Sequence, residues 1–305
     1  MTIHSPERRS ILHHYKYTII YIYDWKKFCN HIIMRTIILV SVGILQKYIL
    51  VNIEQLLLLG YTNIYVIVNQ RYFSKFSKYT TITLIDANSL DTTYFNKNSK
   101  LNTAFRRGFW SNCTKRFFLI YELMRNRGLK NVIHLENDVL LYTKMDYKLD
   151  EKIYLTMDSP NRCIPGIIYI PNSDLMKNLI DNFNLVKNDM ENLADFYNKN
   201  KTLVKTFPIM DPSIKKCVYN ENFSEFKSIF DGAAIGQYLG GVDPRNIQGD
   251  STGFINETCV IKYNQYKFKW VQQGKHSFPH IEINGQLIPI NNLHIHSKKL
   301  RKFAL

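Results

Sequence analysis

Apolar residues begin to recur regularly after Met34. Thr36 to Val42 is a continuous, largely β-branched run, the pattern of a strand buried on both faces. From about Leu45 to Leu59 the apolar positions recur at helical spacing, and Gly60 stands where a helix end needs a left-handed residue. Asn63 to Val68 reads as a second buried strand, residues 70–79 as a short helix or loop, and Thr81 to Ile85 as a third strand. Strand, helix, strand, strand at this spacing predicts a mostly parallel α/β sheet of nucleotide-binding type.

The next periodic stretch, Thr114 to Leu123, is an amphipathic helix that Thr114 or Ser111 is placed to cap and Gly128 to close. Lys115 and Arg116 fall in its first turn, where the helix dipole disfavours cations unless an anion sits nearby. They are either a solvated basic face or part of an anion site. The helix leads into residues 131–142, apolar up to Leu135, broken by Glu136 and Asp138, then apolar again. Read as a strand, period two puts Glu136 and Asp138 on one side and Asn137 on the other. Such a pair is either a strand end turning into a polar loop or two carboxylates sharing a cation. A hard divalent ion held by one or two carboxylates, with its other positions open to phosphate oxygens, is a common arrangement in nucleotide-dependent enzymes. The open end of an α/β sheet is also where ligands bind.

In the second half, residues 153–172 read as strand, turn, strand, and residues 173–201 as a polar helical stretch outside the core. Asp231 stands at an expected helix start, followed by Gly232, Ala233 and Ala234. It is either a plain helix cap or a carboxylate beside a surface of small side chains that a ligand can approach closely. Residues 281–288 form a hairpin with Asn284-Gly285 as its type I′ turn. His294 and His296 then share a strand face, with Lys298 and Lys299 just beyond.

Composition narrows the function classes. The chain has 305 residues, 45% of them apolar, with Tyr 20 and Phe 18, enough for a real core. Its formal net charge of +15 suits phosphate-bearing partners. The basic residues are dispersed, with no arginine-rich tract, so phosphorylated small molecules rank above nucleic acid. Cys29, Cys113, Cys163, Cys217 and Cys259 are widely spaced and odd in number, which excludes a zinc module or disulfide scaffold and fits a reducing compartment. No apolar run approaches the ~20 residues of a membrane span, and the N-terminus lacks a signal-peptide core. A soluble, cytoplasmic protein is expected. Residues 1–33 differ in composition from the rest of the chain and read as an N-terminal extension of a single domain over 34–305. A Gly-x-Gly-x-x-Gly fingerprint and a Walker-type phosphate loop are both missing, which sets aside dehydrogenase and P-loop readings.

The order of parts resembles the GT-A fold glycosyltransferases: a first strand ending in a small polar turn, a βαβ half, a basic-headed helix, then a strand ending in Glu136-x-Asp138. The resemblance spans roughly residues 35–300. It implies a Rossmann-type sheet with residues 34–142 as the nucleotide-sugar half and 143–305 as the acceptor half. It implies a hexosyltransferase-type enzyme that moves a sugar from a nucleotide-diphosphate sugar, a UDP-sugar favoured, to a hydroxyl on a glycan, protein or lipid. Mn²⁺ or Mg²⁺ would be held at Glu136, Asp138 and one or both of His294 and His296. The donor would lie against Ser41, Val42, Asn69, Arg116, Asn137, Lys298 and Lys299, and Asp231 would act as base in an inverting reaction. The Gly and Pro-Trp that accompany the terminal His and Lys in some of these families are absent here. Two alternatives stand beside this reading: a related nucleotidyltransferase, and a carbohydrate-binding protein without catalysis. The loop Ser41-Val42-Gly43-Ile44-Leu45 lacks the basic, glycine-rich character that a nucleotidyltransferase would show.

Overall fold

The structure, a computed structural model, describes residues 35–214, 217–239 and 267–305. The reading of residues 1–33 as an extension, and Cys29 and Cys259, lie outside them. Residues Arg35–Leu305 make one compact unit. In chain order its first half runs β1 (Thr36–Ser41), α1 (Ile49–Leu58), β2 (Ile64–Val68), β3 (Ile82–Asp86), α2 (Thr93–Asn98), α3 (Phe109–Arg127), β4 (Val132–Leu135) and β5 (Val139–Leu141). The second half adds β6 (Ile153–Ser159), β7 (Arg162–Ile170), α4 (Ser173–Asp181), α5 (Asp189–Lys199), β8 (Val204–Thr206) and α6 (Phe223–Phe226). It ends with β9 (Lys267–Gln273), β10 (His276–Ile283), β11 (Gln286–Pro289) and β12 (Asn292–His294). Among the described residues no helix is long and apolar enough to cross a membrane.

Seven strands form the central sheet in the order β3-β2-β1-β4-β7-β6-β8. The first four are mutually parallel, β7 is antiparallel to both neighbours, and β8 is parallel to β6. Within this sheet β7 therefore runs against the rest. The expected mostly parallel α/β sheet is the one observed, and it continues unbroken across residue 142. Strand parity sorts its two faces. Ile37 and Leu39 of β1 join Ile49, Ile53 and Leu56 of α1 in one core, while Ile38 and Val40 join Phe117, Ile120 and Leu123 of α3 in the other.

Sequence punctuation marks most element ends. Gly60 and Gly128 both take left-handed backbone (φ 79° and 61°) just past α1 and α3, a conformation that costs any residue with a Cβ. Asn284 and Gly285 (φ 49° and 79°) make the left-handed pair that a type I′ hairpin demands.

Three expectations need correction. Helix α3 starts at Phe109, ahead of both Ser111 and Thr114; its N-cap is Gly108 at φ 81°, with no side-chain cap. The stretch 173–201 is not outside the core: it forms α4 and α5, which bury Met176, Leu179, Leu193 and Phe196 against the sheet. Finally, Glu136 to Asp138 are not on a strand. β4 ends at Leu135, and a turn closed by Val139 N–H donating to Glu136 O (3.0 Å) leads into β5.

Candidate functional site

The turn at Glu136–Asp138 lies at the carboxyl ends of β1 and β4, where Leu39 pairs with Leu135. Parallel sheets place ligands at this end. The turn is fixed from three sides. Glu136 N–H donates to Gly166 O of β7 (3.0 Å). Asn137 turns inward, its amide donating to Val40 O (2.7 Å) and Gln46 Oε1 (2.5 Å). Asn52, fully buried on α1, donates to Glu136 O (3.2 Å) and Val139 O (2.9 Å). With Asn137 anchored, both carboxylates face the same way, although the cause is a turn rather than strand parity.

The far end of the chain meets them. β12 pairs antiparallel with β5, setting His294 opposite Val139, and Ile295 N–H donates to Asp138 O (2.9 Å). His294 Nε2 then stands 3.2 Å from Glu136 Oε2 and 3.4 Å from Asp138 Oδ2. One donor atom from each of Glu136, Asp138 and His294 lies within 4.8 Å of the others. Lys298, in left-handed backbone at φ 60°, returns its ammonium to Asp138. From α3, Arg116 bridges Glu136 and the buried Asp189 of α5, the latter at 2.6 Å.

Buried charges must be matched, because desolvation of an isolated ion costs more than any single contact returns. Burial opposes ionisation of Glu136, but Arg116 and then His294 outweigh it and hold its carboxyl below the usual range. Asp138 is likewise held well below its usual value, burial being overcome by Lys298 and His294. Burial would neutralise His294, yet the adjacent Asp138 and Glu136 raise its basicity above that of a free imidazole. Asp189 goes the other way: burial raises its carboxyl, Arg116 only partly offsets this, and the Glu136 charge adds to the rise. The Arg116–Asp189 pair is thus geometrically close but incompletely compensated. Burial, and then the Asp189 charge, pushes the Cys113 thiol well above its usual value, which favours the protonated thiol over the thiolate.

This cluster sits in a cleft of about 630 Å³. Ser41, Val42, Arg116, Glu136, Asn137, Asp138, His294, His296 and Lys298 all line it. An adjoining hollow of about 470 Å³ shares Val42, Gly43, Arg71 and Asn112 with it and adds Asn69, whose Oδ1 accepts from Gly43 N–H (3.1 Å). His296 lies edge-on to His294, ring centres 4.7 Å apart, but is not one of the three converging donors. Lys299 is exposed and outside the cleft lining, so of the two lysines Lys298 is the one at the site.

Asp231 does not start a helix. It heads a bend, is 2% exposed, and is absent from the cleft lining. Its carboxylate accepts four backbone N–H groups, those of Ala234 (2.8 Å), Ile235 (2.9 Å), Gly236 (2.7 Å) and His294 (3.0 Å). An ionised carboxylate offers about four lone-pair sites, so these bonds use its capacity. A general base must reach the acceptor directly or through one water, and this placement does not support that role.

Several cleft residues carried no sequence signal. Asp189 lies in a stretch that reads as exposed; the Asn188-to-Glu191 capping box marks where its helix begins but not what Asp189 touches. Arg106 and Arg107 (φ 45° and 57°) precede Gly108 in left-handed backbone and line the cleft with Trp110 and Arg162. Consecutive left-handed residues with side chains are strained and concentrate at functional sites.

The three donors suit a divalent cation. Two carboxylate oxygens and an imidazole nitrogen match the preferences of Mn²⁺ or Mg²⁺ better than those of a thiolate-seeking metal. The carboxylates are ionised, and His294 points a ring nitrogen at both.

No family model and no curated protein matches this chain. Among solved structures it is similar to the PaToxG glycosyltransferase, over 60% of this chain and 78% of that one, at 12% identity and TM-score 0.38. An active-site mutant of LgtC is similar over 62% and 80%, at 11% identity and TM-score 0.40. A cytidylyltransferase from Leptospira borgpetersenii follows over 57% and 76%, at 10% identity and TM-score 0.36. Glycosyltransferases are thus among the structures that this chain resembles, and the fold class itself stands on the strand order above.

Proposed function

We propose that this chain is a divalent-cation-dependent glycosyltransferase that moves a sugar from a nucleotide-diphosphate sugar to a hydroxyl acceptor. The observation that carries the reading is the convergence of Glu136, Asp138 and His294 with Lys298 at the carboxyl end of the sheet, from positions some 160 residues apart.

Glu136, Asp138 and His294 would hold the cation, which when bound would supply positive charge to a diphosphate leaving group. The other residues contribute positioning and charge. Lys298 offers a cation at the same point, where it can pass from Asp138 to a phosphate oxygen as negative charge grows there. Arg116 is bound on both sides, so its role is to fix Glu136 rather than to grip the donor. The hollow at the ends of β1, β2 and β3 would take the nucleoside, against Val42, Gly43 and Asn69. This assigns donor binding mainly to residues 34–142 and leaves the side of the cleft with Arg162, Ile164 and Met190 for the acceptor. The walls of the cleft would keep water from competing for the sugar.

The test is to incubate the protein with a panel of nucleotide sugars, with and without Mn²⁺, and measure nucleoside diphosphate release. Mn²⁺-dependent release from one donor is the expected result. Pyrophosphate release from a nucleoside triphosphate and a sugar phosphate would select the nucleotidyltransferase instead. Sugar binding without turnover of any donor would select a binding protein.

A further inference from the structure

We infer that Asp231 is a positioning residue that seats His294 for the cation site. The inference rests on the proposed cation site but concerns a different group. Asp231 Oδ2 accepts from both Gly236 N–H (2.7 Å) and His294 N–H (3.0 Å), joining the 231–236 bend to the end of β12 through one oxygen. Oδ1 meanwhile holds the bend itself, through Ala234 and Ile235. A second clasp runs through the main chain: Asp231 N–H donates to Asn292 Oδ1 (3.2 Å), and the Asn292 amide donates back to Asp231 O (3.3 Å). Gly236 lies directly on the His294 backbone, where an added Cβ would sit 2.6 Å from its nitrogen. The bend therefore reaches His294 by charge and by contact.

His294 needs such a seat because its ring lacks the usual one. Metal-binding imidazoles are commonly oriented by a hydrogen bond at their second nitrogen. His294 Nδ1 is buried and meets no hydrogen-bonding partner among the described residues. It faces Gly166, where a Cβ would approach to 3.1 Å. With the ring unheld at Nδ1, the reach of Nε2 to Glu136 and Asp138 depends on where the backbone stands, and Asp231 fixes the backbone. This also explains a buried carboxylate beside, but outside, the cleft.

Two measurements test the inference on the full chain. In the wild type, the His294 amide should exchange with deuterium far more slowly than exposed loop amides, and more slowly again with Mg²⁺ bound. Rapid exchange like that of the exposed loops would overturn the seat. Second, Asp231→Asn removes the charge and turns an amide towards donors. Calorimetry with Mn²⁺, well below the melting temperature, should show affinity weakened ~10–100-fold, as for other groups that orient metal ligands. His294→Ala should lose at least as much, and the double variant no more than His294→Ala, because Asp231 acts through His294. Unchanged affinity in Asp231→Asn, or losses that add in the double variant, would overturn the inference while leaving the cation site standing. If Asp231→Asn does not fold, Asp231→Ser keeps a short acceptor for the bend but does not span to His294, and wild-type affinity in it overturns the inference equally. A wild type that binds no Mn²⁺ sinks the cation site, and this inference with it.

Discussion

Two turns meet at the proposed cation site, and they are held by different chemistry. The Glu136–Asp138 turn grows out of a parallel strand at the centre of the main sheet and is fixed by neutral amides, Asn52 from α1 and its own Asn137. The turn after β12 belongs to a two-stranded sheet formed with β5 and is fixed by a carboxylate, Asp231, and an ammonium, Lys298. The first turn is part of the scaffold. The second is joined to it by the β5–β12 pairing and the buried Leu293 and Ile295, with charged bonds added at its tip. The comparison teaches that the backbone of one half of the site is fixed by neutral amides, whereas the backbone of the other is also fixed by charge. Substitutions of the amides that fix the first should therefore cost stability, and substitutions of the charged groups that fix the second should cost ligand binding before stability.

The largest expected effect falls on binding. Asp138→Ala removes a donor from the first turn and the partner of Lys298 from the second. Mn²⁺-dependent binding of a nucleoside diphosphate should disappear in calorimetry, while the melting temperature shifts by only a few degrees. Retained binding would mean that the two turns do not form one site.

The next effect falls on stability. Asp189→Ala leaves the buried Arg116 with Glu136 as its one carboxylate partner among the described residues. Removing one member of a buried ion network commonly costs ~3–5 kcal/mol; the incomplete compensation of Asp189 argues for about the lower end of that range. Denaturant unfolding would measure it. A neutral result would show that burial of Asp189 had been costing as much as its pairing returned.

Asn52→Ala tests the scaffold half alone. It takes the Asn52 donor from the Val139 carbonyl and leaves the Glu136 carbonyl with the Val139 N–H of its own turn, a loss of about 1–3 kcal/mol. Unfolding should register this, and Mn²⁺ affinity of the folded protein should move less than in Asp231→Asn. The reverse order would invert the comparison between the turns.

The scaffold half was the more legible of the two from sequence, for a physical reason. Apolar runs such as Thr36–Val42 and Asn63–Val68 report burial locally, and Gly60, Gly128 and Asn284-Gly285 report backbone conformations that few other residues adopt. Glu136 and Asp138 stood out because two carboxylates interrupt an apolar run. The polar contacts that fix the site leave no such local trace. Asn52 and Gln55 are polar positions on a helix that no sequence pattern singles out, yet both are buried and donate to carbonyls of the 136–141 segment. Asp189 pairs with Arg116 across 73 positions, which no spacing rule anticipates. Period two put His294 and His296 on one face, and nothing local chose between Lys298 and Lys299, because β12 ends at His294 and the chain then turns through a left-handed Lys298. Asp231 was legible as an acceptor of backbone N–H groups; that one of them belongs to His294 was not.

The smallest expected effect concerns an ionic link between the halves. Glu54 lies on α1, the helix that supports the first turn, and contacts Arg301 of the C-terminal segment beyond the second (2.6 Å), together with Lys78 (2.6 Å). Burial alone would raise its carboxyl, but hydrogen bonds from Lys78, Arg301 and Tyr79 bring it down to about 2. A carboxyl depressed in the folded state binds its proton more readily when unfolded. Its contribution is therefore fully present above the unfolded value, near 4.5, and is lost as pH falls towards about 2. Lys78 and Arg301 are 61% and 70% exposed, so solvent and salt screen the link and its worth stays at or below ~1 kcal/mol. Glu54→Gln should thus lower stability slightly at pH 7, by an amount that shrinks in high salt and vanishes towards pH 2. Denaturation of wild type and variant side by side across that range would check it. A gap that widened on acidification would mean that Glu54 is not the charged member of this link, and that the two halves are joined without it.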